Sequence, residues 1–216
     1  MNAFIFDLNG TMVHDMDYHT KAWQHIFNHE LGGSFTWDEV KPQMYGKNQE
    51  VLERMFGPER FTAEEVQRLS LAKEARYQAE FRPHLRLLPG LAEFLAAAHA
   101  RGIPMAIGSA AIPFNIDFVL DGLDLRKYFG TIVSADHVSL SKPHPETFLK
   151  AAHLLGAAPA DCLVFEDVPK GVEAAARAGM AAVVLTTTHP ESDFAGLPNV
   201  QHFAPDFTDA FFQELL

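Results

Sequence analysis

The sequence predicts an α/β fold, in which an all-helical segment is inserted into a doubly wound parallel sheet. From Leu91 onward, short apolar stretches of strand length alternate with helical stretches, which is typical of right-handed βαβ crossovers. The predicted strands are apolar throughout, as strands covered by helices on both faces should be. Between Val13 and Phe81 no stretch has the pattern of a strand. We therefore expect a layered α/β core and a separate helical domain after its first strand.

The first element is a predicted strand over residues 3–6, directly followed by Asp7 and by a turn built on Gly10. Apolar residues then recur at helical spacing, with Gly32 and Gly33 ending the first helix and Thr62 capping the last. The helices predicted in this segment are 18–31, 37–44, 50–56 and 63–81. Together they make up the inserted domain.

Proline and glycine mark the return to the sheet, at Arg82-Pro83 and Leu88-Pro89-Gly90. We place residues 1–13 and 83–216 in the core and residues 14–82 in an α-helical cap. Because both tethers of this block return to one edge of the sheet, it is placed to act as a lid. The core elements predicted after the cap are helix 91–101, strand 105–107, helix 113–120, strand 131–133, helix 145–155, strand 163–165, helix 171–178, strand 181–185 and a short helix 209–215.

Charge and composition narrow the classes of partner. Lys and Arg together number 17 and Asp and Glu 28, giving a net charge of −11 without a basic block, so nucleic acid is not an expected partner. No apolar run approaches the roughly 20 residues of a membrane helix. The single cysteine, Cys162, fits a reducing compartment. We expect a cytoplasmic monomer that acts on a small substrate without a membrane partner.

Four polar clusters follow predicted strands. Open α/β sheets bind ligands just outside the carboxyl ends of their strands, so clusters at these ends are expected to converge. Each alone is weak evidence, since a lone serine or lysine in a loop is usually only solvated. The clusters are Asp7-Leu8-Asn9-Gly10-Thr11, Gly108-Ser109-Ala110, Ser141-Lys142-Pro143 and Glu166-Asp167.

Together the clusters supply the parts of a phosphoryl-transfer site, which needs a nucleophile, a divalent cation and donors around the phosphoryl oxygens. Asp7 can attack phosphorus with one carboxylate oxygen while the other binds Mg²⁺. Glu166 and Asp167 can complete the metal site, and without a cation the two adjacent acids would repel each other. The sequence therefore predicts Mg²⁺ as the cofactor.

The remaining groups suit the phosphoryl oxygens. Lys142 can neutralise charge on the transferred group and on Asp7, and the hydroxyls of Thr11 and Ser109 can donate hydrogen bonds. We predict a phosphate-binding set of Thr11, Ser109, Ala110 and Lys142.

These motifs resemble those of the haloacid dehalogenase superfamily, and the helical insertion after the first motif resembles its β-phosphoglucomutase-like subgroup. The first motif matches Asp7 to Thr11, the second Ser109, the third Lys142 in Ser-Lys-Pro-His-Pro, and the fourth Glu166-Asp167 with Gly171 beyond it. The resemblance implies a Rossmann-like core, Mg²⁺, and an aspartyl-phosphate intermediate on Asp7. It also implies an α-helical cap that opens and closes over a small phosphorylated substrate, such as a sugar phosphate.

The resemblance extends less specifically into the cap. Mutases of the subgroup carry an arginine after a cap glycine, where this chain has Lys47 after Gly46. Lysine binds phosphate as a point charge without the bidentate fork of arginine, which favours a phosphatase over a phosphomutase. The cap residues implied to face the substrate, although each could instead be packed or solvated, are His19, Trp23, Lys47, Asn48, Lys73 and Tyr77.

Asn9 departs from the pattern. Phosphatases and mutases of this superfamily carry an aspartate two residues after the nucleophile, where it acts as general acid and base. The main-chain carbonyl of Asn9 can still bind Mg²⁺, but its amide cannot transfer a proton, a function typically worth about 10²- to 10⁴-fold in rate. We therefore expect metal binding to persist while turnover suffers.

Three explanations of Asn9 stay open. In the first, Asn9 is an engineered substitution. In the second, it is natural, and either water or a neighbour such as His14 carries the proton. In the third, the reaction is that of a branch of the superfamily that lacks the aspartate. Dehalogenases lack it but use no metal, which would leave Glu166 and Asp167 without a role. Phosphonoacetaldehyde hydrolases lack it but need a Schiff-base lysine in a differently patterned cap. The rival from another class is a phosphate-ligand binder that turns over too slowly to count as an enzyme.

Overall fold

The computed structural model describes residues 3–216, which divide into two compact units. One unit comprises residues 3–14 and Arg86–Leu216 and contains the sheet. The other, Asp15–Leu85, is entirely helical. The assignment of these units as catalytic core and cap stays a prediction. In the described part of the chain, no helix has the length and apolar character needed to cross a membrane.

The helical unit contains four α-helices, as predicted, and their observed first and last residues differ from the predicted ones in most cases. The long first helix predicted over 18–31 starts earlier and changes into a π-helix, Ile26–Glu30. The second shortens to one turn and continues as a 3₁₀ segment, Lys41–Gln43, because Pro42 lacks the N–H that an α-helix needs. The α-helices are α1 (Met16–His25), α2 (Trp37–Val40), α3 (Asn48–Phe56) and α4 (Ala63–Phe81).

Helix α4 has the predicted bounds, and its first turn shows why. The Glu65 main-chain N–H donates to Thr62 Oγ1 over 3.2 Å, and the Thr62 N–H donates to the Glu65 carboxylate over 2.8 Å. This capping box satisfies donors that the start of a helix leaves without partners. Apolar residues of α1, the π-helix, α3 and α4, with Trp23, Phe27 and Leu52 among them, form a core within the unit.

The other unit is a six-stranded parallel sheet with α-helices around it, so the predicted fold class is confirmed. The strands are β1 (Ala3–Phe6), β2 (Met105–Gly108), β3 (Thr131–Val133), β4 (Cys162–Glu166), β5 (Ala181–Leu185) and β6 (Val200–Ala204). The α-helices are α5 (Leu91–Ala100), α6 (Pro113–Gly122), α7 (Glu146–Leu155), α8 (Pro169–Arg177) and α9 (Phe211–Glu214). Short 3₁₀ segments lie at Arg82–His84 in the helical unit and, in this unit, at Arg126–Tyr128, Ala135–His137, Pro159–Asp161 and Glu191–Phe194.

Both faces of the central strand are covered. Phe4 of β1 stacks on Phe94 of α5 with ring centroids 5.5 Å apart. Ile5, which points to the opposite face, belongs to a buried cluster with Phe148 of α7 and Val164 of β4. Period-two alternation in a strand thus explains why apolar residues are needed at every position of β1.

The strand order β3-β2-β1-β4-β5-β6 places β1 between β2 and β4. The chain winds in one direction from β1 to β3 and in the other from β4 to β6, so the carboxyl end of β1 is the topological switch point. In open α/β sheets this point forms a crevice suited to ligands. The strand end that carries Asp7 is therefore the first place to look for a site.

Strand β6 was not predicted. It pairs with β5 at the edge of the sheet, and its residues Gln201 and His202 are partly or fully exposed. Edge strands need no apolar residue at every position, so this one lacks the continuous apolar run that identified the others. The helix predicted over 209–215 is reduced to one turn, α9.

Candidate active site

Three acidic side chains meet at the switch point. Asp7 follows β1, Glu166 ends β4, and Asp167 comes next in the chain. One carboxylate oxygen from each can be chosen so that all lie within 4.8 Å of one another, and all three residues are buried. Parallel register brings them together, since Phe6 pairs with Phe165 immediately before them. Buried acids so close require counter-charge or donors.

Lys142 supplies part of that charge. Its ammonium group donates to Asp7 Oδ1 over 2.7 Å and to Glu166 Oε1 over 2.6 Å, and it lies 4.7 Å from the centre of the Phe148 ring. Burial disfavours the charged ammonium, but the Asp7 and Glu166 carboxylates outweigh it and raise the pKa of Lys142 above its ordinary value. The lysine is therefore a permanent positive charge that bridges the two acids.

Glu166 is held on both oxygens. While Oε1 accepts from Lys142, Oε2 accepts from the main-chain N–H groups of Asp167 and Val168 over 2.9 and 3.0 Å. Gly171, in the first turns of α8, leaves room for this carboxylate, because a Cβ atom there would lie 1.9 Å from Oε1. The fourth motif thus needs glycine at this position for a steric reason.

Asp167 is held by two hydroxyl groups. Thr11 Oγ1 donates to its Oδ1 over 3.0 Å, and Thr188 Oγ1 lies 2.6 Å from its Oδ2. Gly10, at φ +80°, passes so close that a Cβ atom would lie 2.1 Å from Oδ2. Burial, followed by the charges of Glu166 and Asp7, raises the pKa of Asp167 well above its ordinary value.

The donor set fits Mg²⁺. Three carboxylates face one ammonium, a surplus of two negative charges when all are ionised. Magnesium prefers oxygen ligands and is usually bound through one or two carboxylates together with water and phosphate oxygens. Among residues 3–216, these three form the one group of at least three acidic, histidine or cysteine side chains close enough to share an ion.

The predicted phosphate-binding residues lie at the same ends of neighbouring strands. Ser109 follows β2, is buried, and accepts a hydrogen bond at Oγ from the Ala111 main-chain N–H over 3.1 Å. Ala110 stands between them and is half-buried. The Thr11 hydroxyl is engaged with Asp167, so its role towards a phosphoryl group stays a prediction.

Asn9 lies in the turn after Asp7 and is half-buried. The turn is closed by the Gly10 main-chain N–H, which donates to the Val13 carbonyl oxygen over 2.9 Å. His14, which the sequence suggested as a possible substitute for the proton carrier, is exposed. Neither residue's part in proton transfer is tested by this arrangement.

Within the helical unit, four of the predicted cap residues are neighbours. Lys73 Nζ lies 2.8 Å from His19 Nδ1 and 5.5 Å from the centre of the Trp23 ring. The Tyr77 ring stacks on the His19 ring with centroids 3.8 Å apart. All four are buried inside the unit, and their role towards a substrate stays a prediction.

Two buried acids complete this cluster. Glu74 accepts from Lys73 and from Asn48 Nδ2, each over 2.9 Å, and the Tyr77 hydroxyl donates to Asp15 Oδ2 over 2.6 Å. Burial opposes ionisation of Glu74, but Lys73 and then His19 outweigh it and hold its pKa below the ordinary value. Of the predicted cap residues, Lys47 lies outside the cluster, before α3, where its main-chain N–H donates to Glu50 over 3.1 Å.

Sequence reasoning missed several polar residues that the structure brings to these clusters. Thr187 and Thr188 follow β5, so the strand-end argument could have placed them at this edge of the sheet, although it could not have given their hydrogen-bond partners. Asp15 lies one helical turn before His19, and Glu74 is adjacent to Lys73. Spacing on a helix was the available signal for Asp15, whereas adjacent residues of a helix do not share a face, so spacing gave no signal for Glu74.

Comparison with known proteins gives consistent matches over nearly the whole chain. The family model described as haloacid dehalogenase-like hydrolase matches residues 1–179. Fructose-1-phosphate phosphatase YqaB of Escherichia coli strain K12 is 33% identical over 84% of this chain and 94% of its own length. β-Phosphoglucomutase of Bacillus subtilis strain 168 is 34% identical over 85% of this chain and 82% of its own. The crystal structure of β-phosphoglucomutase from Clostridium difficile superposes with a TM-score of 0.83 at 25% identity, covering 99% of this chain and 96% of that one.

Proposed function

The chain belongs to the haloacid dehalogenase-like hydrolase family, and from that premise we propose that it is a Mg²⁺-dependent phosphatase of small sugar or polyol phosphates. The observation that carries this proposal is the position of Asp7, which lies at the switch point beside Lys142. One of its carboxylate oxygens lies within 4.8 Å of a carboxylate oxygen of Glu166 and of one of Asp167. The names of relatives, a fructose-1-phosphate phosphatase and hexitol phosphatase B among them, support the substrate class.

In this mechanism Asp7 is the nucleophile. One carboxylate oxygen forms a bond to phosphorus while the bond from phosphorus to the ester oxygen breaks, leaving an aspartyl phosphate and an alkoxide that takes up a proton to become the alcohol. Water then attacks the aspartyl phosphate and returns Asp7 with inorganic phosphate. Lys142, 2.7 Å from Asp7 Oδ1, orients the carboxylate and stands beside the negative charge of the incoming phosphoryl group.

The residues that would hold Mg²⁺ are Asp7, Asp167, Glu166 and the main-chain carbonyl of Asn9. When bound, the ion supplies positive charge to the phosphoryl oxygens and offsets the surplus of carboxylates. The Ser109 hydroxyl, which accepts from Ala111 and still has its own proton to donate, suits a phosphoryl oxygen.

Asn9 sets the expected rate. The leaving alkoxide and the attacking water need proton transfer, and an amide side chain offers a hydrogen bond without a transferable proton. We expect turnover about 10²- to 10⁴-fold below that of the same site with an aspartate. The same observation supports the second candidate, a phosphate-ligand binder with negligible turnover.

A phosphomutase is less well supported, because two cations of the described helical unit already bind protein groups and the arginine of the mutases is replaced. Lys73 is paired with Glu74, and the Arg54 guanidinium donates to the carbonyl oxygens of Gln43 and Tyr45. The residue after Gly46 is Lys47 rather than arginine. A phosphomonoester is therefore the proposed substrate.

The test is release of inorganic phosphate from a panel of hexose, pentose and hexitol monophosphates, with Mg²⁺ present, by the unmodified chain and by Asp7→Ala. Asp136→Asn, an exposed acid, is the matched control. We expect slow release that Asp7→Ala abolishes and Asp136→Asn retains. Equal activity in Asp7→Ala would exclude the nucleophile, and conversion of β-glucose 1-phosphate to glucose 6-phosphate would favour the mutase.

Substrate binding without phosphate release would favour the binder. Asn9→Asp separates this result from the phosphatase proposal, because it restores the proton carrier at an otherwise unchanged site. A gain of 10²-fold or more is expected if Asn9 limits the rate. No gain would mean that the protein uses another proton route or catalyses another reaction.

A further inference from the structure

Three consecutive threonines follow β5, and two of them bond to residues in the segments that follow β1 and β4. Thr187 Oγ1 donates to the Gly10 carbonyl oxygen over 2.5 Å, in the turn that follows Asp7. Thr188 Oγ1 lies 2.9 Å from the Asp167 carbonyl oxygen as well as 2.6 Å from its Oδ2. Thr186, the first of the three, makes one long contact of 3.4 Å with the Ala204 carbonyl oxygen.

We propose that Thr188 is a positioning residue that fixes the carboxylate of Asp167 for metal binding. The proposal rests on the assignment of Asp167 as a Mg²⁺ ligand. Thr188 acts through Asp167 and is not assigned a contact with the ion or with the substrate.

The geometry of the contact supports this role. Both acceptors belong to Asp167, one on its main chain and one on its side chain, so the hydroxyl ties the carboxylate to its own backbone. An ionised carboxylate and a carbonyl only accept, so the single proton of the Thr188 hydroxyl is shared between the two acceptors. The hydroxyl thereby restricts rotation of the Asp167 side chain.

The second oxygen of the same carboxylate is also held. Thr11 donates to Oδ1 while Thr188 is bonded at Oδ2, and the backbone of Gly10 closes the side of the carboxylate at Oδ2. Each carboxylate oxygen has about two acceptor positions, so one hydrogen bond leaves room for a metal. Partners that orient a ligand in this way are typically worth 10- to 100-fold in metal affinity.

The alternative is that Thr188 only closes its own loop. The three threonines separate these possibilities, because they are consecutive and differ in what their hydroxyls contact. Thr188→Val removes the hydroxyl and keeps the shape, Thr188→Ser keeps the hydroxyl, and Thr186→Val makes the same change two residues earlier without touching Asp167. Thr188→Ala gives a second hydroxyl-free variant should the valine variant fold poorly.

The experiment is titration of the purified, metal-depleted protein with Mn²⁺, followed by electron paramagnetic resonance, and with Mg²⁺ by calorimetry, both without substrate. We expect Thr188→Val and Thr188→Ala to weaken the metal dissociation constant about tenfold or more. Thr188→Ser should stay within about threefold of the unmodified chain, and Thr186→Val should be unchanged.

Two results would overturn the proposal while leaving the proposed function intact. One is unchanged metal affinity in both hydroxyl-free variants when the unmodified chain binds metal. The other is an equal loss in Thr188→Ser, which would assign the effect to packing of the γ-methyl group. If the unmodified chain bound no divalent cation, the proposed function itself would fail, and this inference with it.

Discussion

Replacing Gly171 by alanine tests whether the Glu166 carboxylate is held as tightly as the site requires. The new Cβ would lie 1.9 Å from Oε1 and 2.0 Å from Cδ, whereas ordinary contacts begin at 3.4 Å. The carboxylate must therefore move by about 1.5 Å. Such a move breaks the 2.6 Å bond from Lys142 and the two main-chain bonds to Oε2.

Two opposing contributions determine how much Gly171→Ala should change the free energy of unfolding. Breaking a buried ion pair by displacing one partner typically costs about 3–5 kcal/mol. Alanine in a helix is about 1 kcal/mol more favourable than glycine, and Gly171 lies within α8. We expect the free energy of unfolding to fall by about 2–4 kcal/mol. Phosphatase activity should fall about 10²-fold, because misplacement by about 1 Å in an active site can cost this much.

The measurements are urea denaturation without added metal and steady-state kinetics with Mg²⁺. Gly130→Ala is the matched control, since Gly130 is exposed and a Cβ atom there would meet nothing within 4 Å. It should change stability by no more than about 0.5 kcal/mol. A Gly171→Ala protein that is as stable and as active as the unmodified chain would refute the steric argument.

Three further outcomes are expected. Lys142→Met should lower kcat by at least about 10²-fold because Asp7 and Glu166 lose their shared cation, and a kcat unchanged within error would remove Lys142 from the mechanism. Chelation by EDTA should abolish phosphate release, whereas Mg²⁺ at 100 times its dissociation constant should stabilise the fold by about 2.7 kcal/mol, measured as a shift in the melting temperature. Because the pKa of Asp167 is raised in the folded state, the metal-free protein should lose stability as pH rises above the usual aspartate range. Mg²⁺ affinity should increase over the same range, since binding needs the ionised carboxylate. Melting curves with and without Mg²⁺ between pH 4 and 8 measure both trends, and a metal-free protein whose stability rises with pH over this range would contradict the prediction.

Most of the fold was predictable because the strands of the sheet interior are apolar on both faces. Strands β1, β3 and β5 have the predicted bounds, and β2 and β4 differ from the predictions only at their ends. Strand β6 was missed for the same physical reason, since an edge strand tolerates His202 and Gln201. The π-helix at the end of α1 was missed because the apolar spacing that indicates a helix does not distinguish its hydrogen-bonding pattern.

Some residues of the candidate site could likewise be predicted from the sequence, and others could not. Asp7, Glu166 and Lys142 could be predicted to converge, because charged residues after apolar strands stand out and parallel strands end at one edge. Thr188 carries no charge, and its contact with Asp167 depends on the path of a loop rather than on spacing in the sequence. The engagement of Lys73 by a buried glutamate likewise depends on side-chain packing.

The contacts that orient the acidic side chains of the site are distinct from the residue proposed to affect proton transfer. Asp167 is oriented by Thr11 and Thr188, and Glu166 by Lys142 and main-chain N–H groups. None of these contacts uses the side chain of Asn9. Under the proposed function, an amide at this position would therefore leave these contacts of the carboxylate cluster in place while removing the proton carrier from the chemistry. Affinity and turnover should consequently respond to different substitutions, with Asn9→Asp changing kcat far more than it changes the Mg²⁺ dissociation constant.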